Sequence, residues 1–216
     1  MLHTINTNLK TCTLEKSPEI DCTAYIHPLA TVIDNVRLGK NVVVASAASV
    51  CGNEAHPIWV GDDVNIQENV IIQATATCVE SMQGCEAEYE IHIGDRVSLA
   101  SKSQVYGPAK IGSDTFIGTQ ALVFKANIGS NCVIEPKAAV MEVSIPDGRY
   151  VPAGSVITNQ IDADYLPLID DVYRLKDLNK AVVHVNVQMA KDYSKKGTMT
   201  PSHNHPCVKV GYCLSY

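Results

Sequence analysis

A chain of 216 residues is long enough to bury a sizeable core, as one large domain or two small ones. Its net charge of −6 excludes a nucleic-acid backbone or an anionic membrane as the main partner, because both need clustered Lys and Arg. No apolar run approaches the roughly 20 residues of a membrane span, and the opening MLHTINTNLKTCTLEK lacks the basic-then-apolar order of a secretory signal.

Residues 1–20 read as an N-terminal arm. From there to about residue 160 the dominant signal is a period of six. Ile26, Val32, Leu38, Val44 and Val50 are evenly spaced, as are Val60, Ile66 and Ile72, and then Ile93, Leu99, Val105, Ile111, Ile117 and Val123. After a one-residue slip, Ile128, Ile134 and Val140 resume it, and Val151 and Ile157 close it. A second column, four residues on, favours small or β-branched side chains such as Val36, Ala48, Val64, Ser103, Thr115 and Ala121.

Six fits neither a helix nor a simple hairpin sheet. A hexapeptide repeat is the signature of a parallel β-helix, with one short strand and one corner per hexapeptide and three per coil of about 18 residues. The aliphatic positions point inward, and the glycines that follow many of them, as in Ile111-Gly112, suit tight corners. The alternative is an ordinary α/β domain with chance spacing, which six consecutive matches from 93 to 123 argue against.

Residues 74–90, ATATCVESMQGCEAEYE, interrupt the repeat as an acidic insertion of about one coil, carrying Glu80, Glu86, Glu88 and Glu90. Insertions in solenoids map to loops, often beside a binding face. Beyond residue 160 the period is lost. In the segment 161–197, Leu178, Val182, Val185 and Met189 recur at three- and four-residue spacing, which predicts an amphipathic helix ending near Gly197 and packed on the coils. Residues 198–216 read as an extended tail.

Eight cysteines, Cys12, Cys22, Cys51, Cys78, Cys85, Cys132, Cys207 and Cys213, are scattered without a C-x-x-C pair. They predict reduced thiols in a cytosol-like compartment, with Cys132 in an apolar slot of the repeat.

Stacking the coils puts Val50, Ile72, Val105 and Val123 above one another. The residues after them, Cys51, Gln73, Tyr106 and Phe124, then form one outward column. Ser101 falls at a different corner of its coil from Tyr106, so the two meet only across an interface between chains.

The segments HPIWVGDDVNIQENVIIQ, VSLASKSQVYGPAKIGSDTFIGTQALVFKANIGSNCVIEPKAAV, SIPDGRYVPAGSVI and AVVHVNVQMAKDY resemble the γ-class carbonic anhydrases, including the related N-terminal domains of carboxysome scaffold proteins. The resemblance covers about residues 20 to 194. It implies a left-handed parallel β-helix, although the usual rule for parallel crossovers favours the other hand, and a homotrimer with active sites between subunits. It also implies a zinc- or iron-type metal held by three His, two from one subunit and one from its neighbour. Those positions are Gln73, Ser101 and Tyr106 here, with Ser101 the neighbour's contribution. A carboxamide, a hydroxyl and a phenol do not replace three imidazoles, and without a metal the water pKa stays near 16 rather than about 7.

Other departures follow. The family's loop Arg is Cys51, its Asp partner is Asn53, and the acid expected as proton shuttle is Ala76, whereas Glu54, Asn65, Gln67 and Asn186 keep the family's residue types. The expectation is therefore a metal-independent homotrimer that binds no cofactor, nucleic acid or membrane.

On the catalytic reading, Tyr106 and Glu54 work as an acid/base pair, and Cys51 is a candidate nucleophile with His56 as the nearby base, against the simpler role of filling a lost side chain's space. Gln67, Gln73, Ser101, Asn65, Lys102 and Asn186 bind the small molecule, although Lys102 also suits a solvated position or a bridge across the trimer. The competing readings are a noncatalytic trimeric scaffold or binding protein, and a hexapeptide acyltransferase, for which the in-coil His27 and His92 are the available imidazoles. The tail motif HNHPC, with His203, His205 and Cys207, has zinc-type donors in no standard spacing.

Overall fold

The hexapeptides wind into a parallel solenoid. The computed structural model describes residues 17–53, 57–75 and 89–196. Within them, two- and three-residue strands stack into three seven-stranded parallel sheets, one rung of each per coil. The first sheet runs from Glu19–Ile20 to Ser144–Ile145, the second from Tyr25–Ile26 to Tyr150–Val151, and the third from Thr31–Ile33 to Val156–Ile157.

Inward positions are those the period names. Leu38, Val60, Ile93, Ile111 and Ile128 follow one another in the first sheet, and Val44, Ile66, Leu99, Ile117 and Ile134 in the second. Val50, Ile72, Val105, Val123 and Val140 do so in the third. All are at most 2% exposed, and burying each aliphatic side chain contributes about 1.5–3 kcal/mol. Cys132 fills its slot beside them, where burial pushes its thiol pKa up.

The coil length varies while the register holds. Corner contacts reach the next coil after 18 residues (Asp95 to Ser113), 22 (Lys40 to Asp62), 33 (Asp62 to Asp95) and 17 (Ser130 to Asp147). The insertion therefore adds no coil. Trp59 pairs directly with His92 on the next coil.

The glycines act differently from the expectation that they serve the corners. The left-handed corner positions are occupied by Asn41, Asp63, Asn69, Asp114 and Asn131, and even by Ala47, Arg96 and Lys102. Asn and Asp tolerate this region because their side chains bond locally. Gly112, by contrast, is needed for close approach: a Cβ there would lie 2.5 Å from the Ser130 amide nitrogen.

On the first sheet's outer face, Trp59 stacks over His92 at 5.7 Å, with Tyr89 edge-on to Trp59 and the Arg37 guanidinium over the indole. Burial, seconded by the Lys110 charge, holds the His92 pKa below its ordinary value, against a smaller opposing pull from Asp95. In the unfolded chain the imidazole titrates near 6.5, so below about that pH the unfolded state takes up the proton more readily and stability falls. Urea midpoints of the wild type and His92→Phe, compared from pH 8 to pH 5, are expected to show the wild type losing more stability on acidification. Equal pH dependence would contradict this assignment.

After the last coil, Asn159 caps the short helix α1 (Gln160–Asp164) by accepting the Asp162 amide, an element the sequence did not announce. The chain then crosses the second sheet, where Tyr173 stacks on Tyr150 and donates to the buried Glu135 at 2.8 Å. Helix α2 (Leu178–Lys196) follows and packs along the second sheet. It presses Asn179, Val183, Asn186 and Ala190 onto the coils. Of the expected stripe, Val185 (58% exposed) and Met189 (41%) are not buried on the coils but stand at the side of the helix, beside an open cleft. The reason lies in two carboxamides: Asn179 donates to the Arg96 carbonyl at 2.8 Å and Asn186 to that of Val64 at 3.5 Å, and these bonds set the helix's rotation. No helix among the described residues is long and apolar enough to cross a membrane.

Candidate functional site

The fold sorts the candidate residues into two groups. The first is the outward column at the end of the third sheet's strands. Register pairing runs Ile33, Cys51, Gln73, Tyr106, Phe124, Met141, as the period requires. Neighbours in this column sit on adjacent strands, about 4.8 Å apart along the stack. The Gln73 amide donates to the Ala74 carbonyl at 3.1 Å, and the Tyr106 hydroxyl donates to Gln104 Oε1 at 3.3 Å. The Tyr106 ring lies tilted beside Phe124. Cys51 Sγ is 3.1 Å from the Ser49 hydroxyl, which supplies no base. Glu54 and His56, the partners expected for Tyr106 and Cys51, lie outside the described residues, as does Ala76.

The second group sits at the corner between the second and third sheets. Gln67 Oε1 accepts from the Ser101 amide at 3.1 Å and lies 3.2 Å from its hydroxyl. The same hydroxyl reaches Glu68 Oε2 at 3.0 Å. Lys102 follows at φ 65, exposed, with its backbone nitrogen bonded to the Glu68 carbonyl. Ser101 precedes the strand Gln104–Tyr106 and Tyr106 ends it, so the two groups stand at different corners.

Beside the second group, α2 and the second sheet enclose a cleft of about 540 Å³. Asn65, Gln67, Glu68 and Asn186 form its polar lining, and Val182, Val185 and Met189 are among its apolar walls. The structure thus gathers Asn65, Gln67, Asn186 and Ser101 on one side and Cys51, Gln73 and Tyr106 on another.

Glu68 is the residue that sequence reasoning passed over. Its signal was available: it occupies in its coil the turn position that Ser101 occupies in the next, so stacking alone would have paired them.

No three His, Cys, Asp or Glu side chains come together to hold a metal among the described residues, and His203, His205 and Cys207 lie outside them. The in-coil histidines are engaged structurally. His27 Nδ1 accepts the Leu29 amide at 3.1 Å, and His92 is packed against Trp59.

The chain is 49% identical over 187 residues to the carbonic anhydrase of Methanosarcina thermophila, which covers 83% of this chain and 76% of that protein. It is 33% identical over 175 residues to the carboxysome assembly protein CcmM of a Nostoc species, covering 81% of this chain and 31% of that longer protein. Among solved structures, a hexapeptide transferase family protein from Anaplasma phagocytophilum aligns with a TM-score of 0.53 at 19% identity, over 82% of this chain and 93% of its own. That likeness shows the fold alone, the left-handed parallel β-helix of hexapeptide repeats. No family model matches the chain.

Proposed function

Because the chain belongs to the γ-class carbonic anhydrase family, we propose that it is a homotrimer that has given up the family's metal and, with it, CO2 hydration, and that it acts without a metal on a small molecule held between subunits. The observation that carries this reading is the donor set. The three positions where the resemblance expects imidazoles hold a carboxamide, an alcohol and a phenol, in Gln73, Ser101 and Tyr106. These groups do not fit a zinc-type ion.

The third sheet's outer face supports a trimer. Ile33, Ile71, Leu122, Phe124 and Met141 point outward there, half-buried within one chain. Covering such a face with another copy removes apolar area from water. In that assembly the Cys51–Gln73–Tyr106 column of one chain faces the Gln67–Ser101 corner of the next.

The chemistry left to these residues is proton transfer and orientation. Tyr106 with Glu54 serves as acid and base, Cys51 is the remaining nucleophile candidate, and Gln67, Gln73, Ser101, Asn65, Asn186 and Lys102 fix the ligand. The engaged states of His27 and His92 weigh against the acyltransferase reading.

A noncatalytic trimeric scaffold is the second reading, favoured by the likeness to carboxysome assembly proteins, of whose length the chain spans less than a third. Tyr106→Phe and Glu54→Gln separate the two. The enzyme reading expects both variants to stay trimeric by light scattering and to lose the protein's role in its host. Retained function in both variants would sink it and leave the scaffold.

A further inference from the structure

We infer that the cleft beneath α2 takes a small aliphatic amine, its ammonium group against Glu68 and its carbon body on Val182, Val185 and Met189. The inference rests on the reading that the site handles a small molecule, and it names the class.

The cleft is built and unfinished. Asn65 lines it at only 7% exposure, yet its carboxamide makes no hydrogen bond among the described residues. Its polar atoms are not sealed away without a partner but open onto the cleft, where the carboxamide oxygen can accept from a ligand. The backbone of Asn65 is already satisfied by the sheet, leaving the side chain with no structural duty.

Gln67 shapes the corner and does not hold the head group: its oxygen faces the Ser101 amide and hydroxyl, and its Nε2 can only donate, as an ammonium does. Asn186, 4% exposed, uses its amide hydrogen on the Val64 carbonyl, which leaves its oxygen as an acceptor.

The charge of the lining selects the ligand. Among the described residues of one chain, Glu68 is the charged side chain that lines the cleft, held there by the Ser101 hydroxyl, with no Lys, Arg or His beside it in the lining. An anion meets like charge, whereas a cation finds its counter-ion at the rim and an overall field of the same sign from a net charge of −6. The remaining walls are aliphatic, which suits a hydrocarbon body, and about 540 Å³ lies within the usual range of small-molecule sites.

Butylammonium chloride and sodium butyrate share a chain length and differ in charge. Titrated into the full-length protein and followed by saturation-transfer NMR, butylammonium is expected to saturate with a Kd of about 1 mM, and butyrate not to saturate. Glu68→Gln should weaken the amine about tenfold, and Asn65→Leu by a similar factor. Because Asn65 is buried, Val185→Trp provides a second block: it starts from an exposed position, fills the cleft and should abolish binding.

Equal affinity for butyrate, no effect of Glu68→Gln, or no saturable amine binding would overturn the inference. The last outcome includes a neighbouring copy filling the cleft. Zinc content and CO2 hydration measured on the same sample keep the two readings apart. A zinc-free, inactive protein that ignores the amine fails here alone, whereas a zinc-loaded, hydrating one fails the proposed function whatever it binds.

Discussion

Replacing Gln73, Ser101 and Tyr106 together by histidine is expected to give a chain that binds about one zinc ion per subunit, where the wild type is expected to hold none. Gln73 and Tyr106 are register partners on adjacent parallel strands and point to the same side. Two imidazoles in their places stand about 4.8 Å apart along the stack, and in the proposed trimer the third comes from the neighbour's corner at position 101.

Gln67 already fixes the backbone at that corner through the Ser101 amide, so the scaffold around the replaced side chain is in place. Any two of the three substitutions should hold the ion far more weakly. Metal content after dialysis, read by mass spectrometry, checks the stoichiometry, and stopped-flow CO2 hydration checks the chemistry, since zinc-bound water titrates near 7 rather than about 16. With Ala76 at the expected shuttle position, proton removal falls to the solvent, so the rate should rise with buffer concentration. A folded, trimeric triple variant that binds no zinc would mean the frame itself has moved.

The largest stability effect is expected at a glycine. Gly112→Val places a Cβ 2.5 Å from the Ser130 amide nitrogen and 2.6 Å from the Gly129 carbonyl carbon. Both are backbone atoms of the next coil, tied by the rung hydrogen bonds, including Gly112 N–H to the Ile128 carbonyl at 2.8 Å. Neither can retreat without opening the stack. The cost is about 3 kcal/mol or more, which for a domain of this size lowers Tm by roughly 6–12 °C.

Gly148→Ala is the control. Its φ is +66 and nothing lies within 4 Å of the added atom, so only the left-handed backbone strain of about 1–2 kcal/mol applies. Thermal unfolding of the two variants should rank them in that order. A Gly112→Val protein as stable as Gly148→Ala would show that the coils slide more freely than their hydrogen bonds allow.

These two cases mark where the sequence was legible. The period fixed which residues share a column, because a parallel solenoid repeats its register at every coil. Cys51, Gln73 and Tyr106 could be aligned without coordinates for that reason, and Ser101 could be assigned to another corner. The insertion was visible as a loss of period, but not that the strands on either side of it pair directly.

What escaped was anything set by single hydrogen bonds or contacts rather than by periodicity. The rotation of α2 brings Asn179 and Asn186, two polar residues that a hydrophobic stripe ignores, onto the coils, and leaves Val185 and Met189 partly exposed at the cleft beside them. The glycines after the inward aliphatic residues signal close approach between coils, whereas the left-handed turn positions are taken by Asn, Asp and other side chains and, late in the chain, by Gly148 and Gly154. Glu68 went unnoticed because its partner, Ser101, lies a full coil away in the chain, and the insertion makes that coil longer than the repeat predicts.

Whether this family member carries a catalytic metal is tested most directly by the zinc, iron and cobalt content of the purified wild-type protein, expressed with excess metal and dialysed, measured together with CO2 hydration by stopped flow. Metal is expected far below one ion per subunit, with a hydration rate equal to the buffer's. A stoichiometric metal with hydration above that background would contradict that expectation.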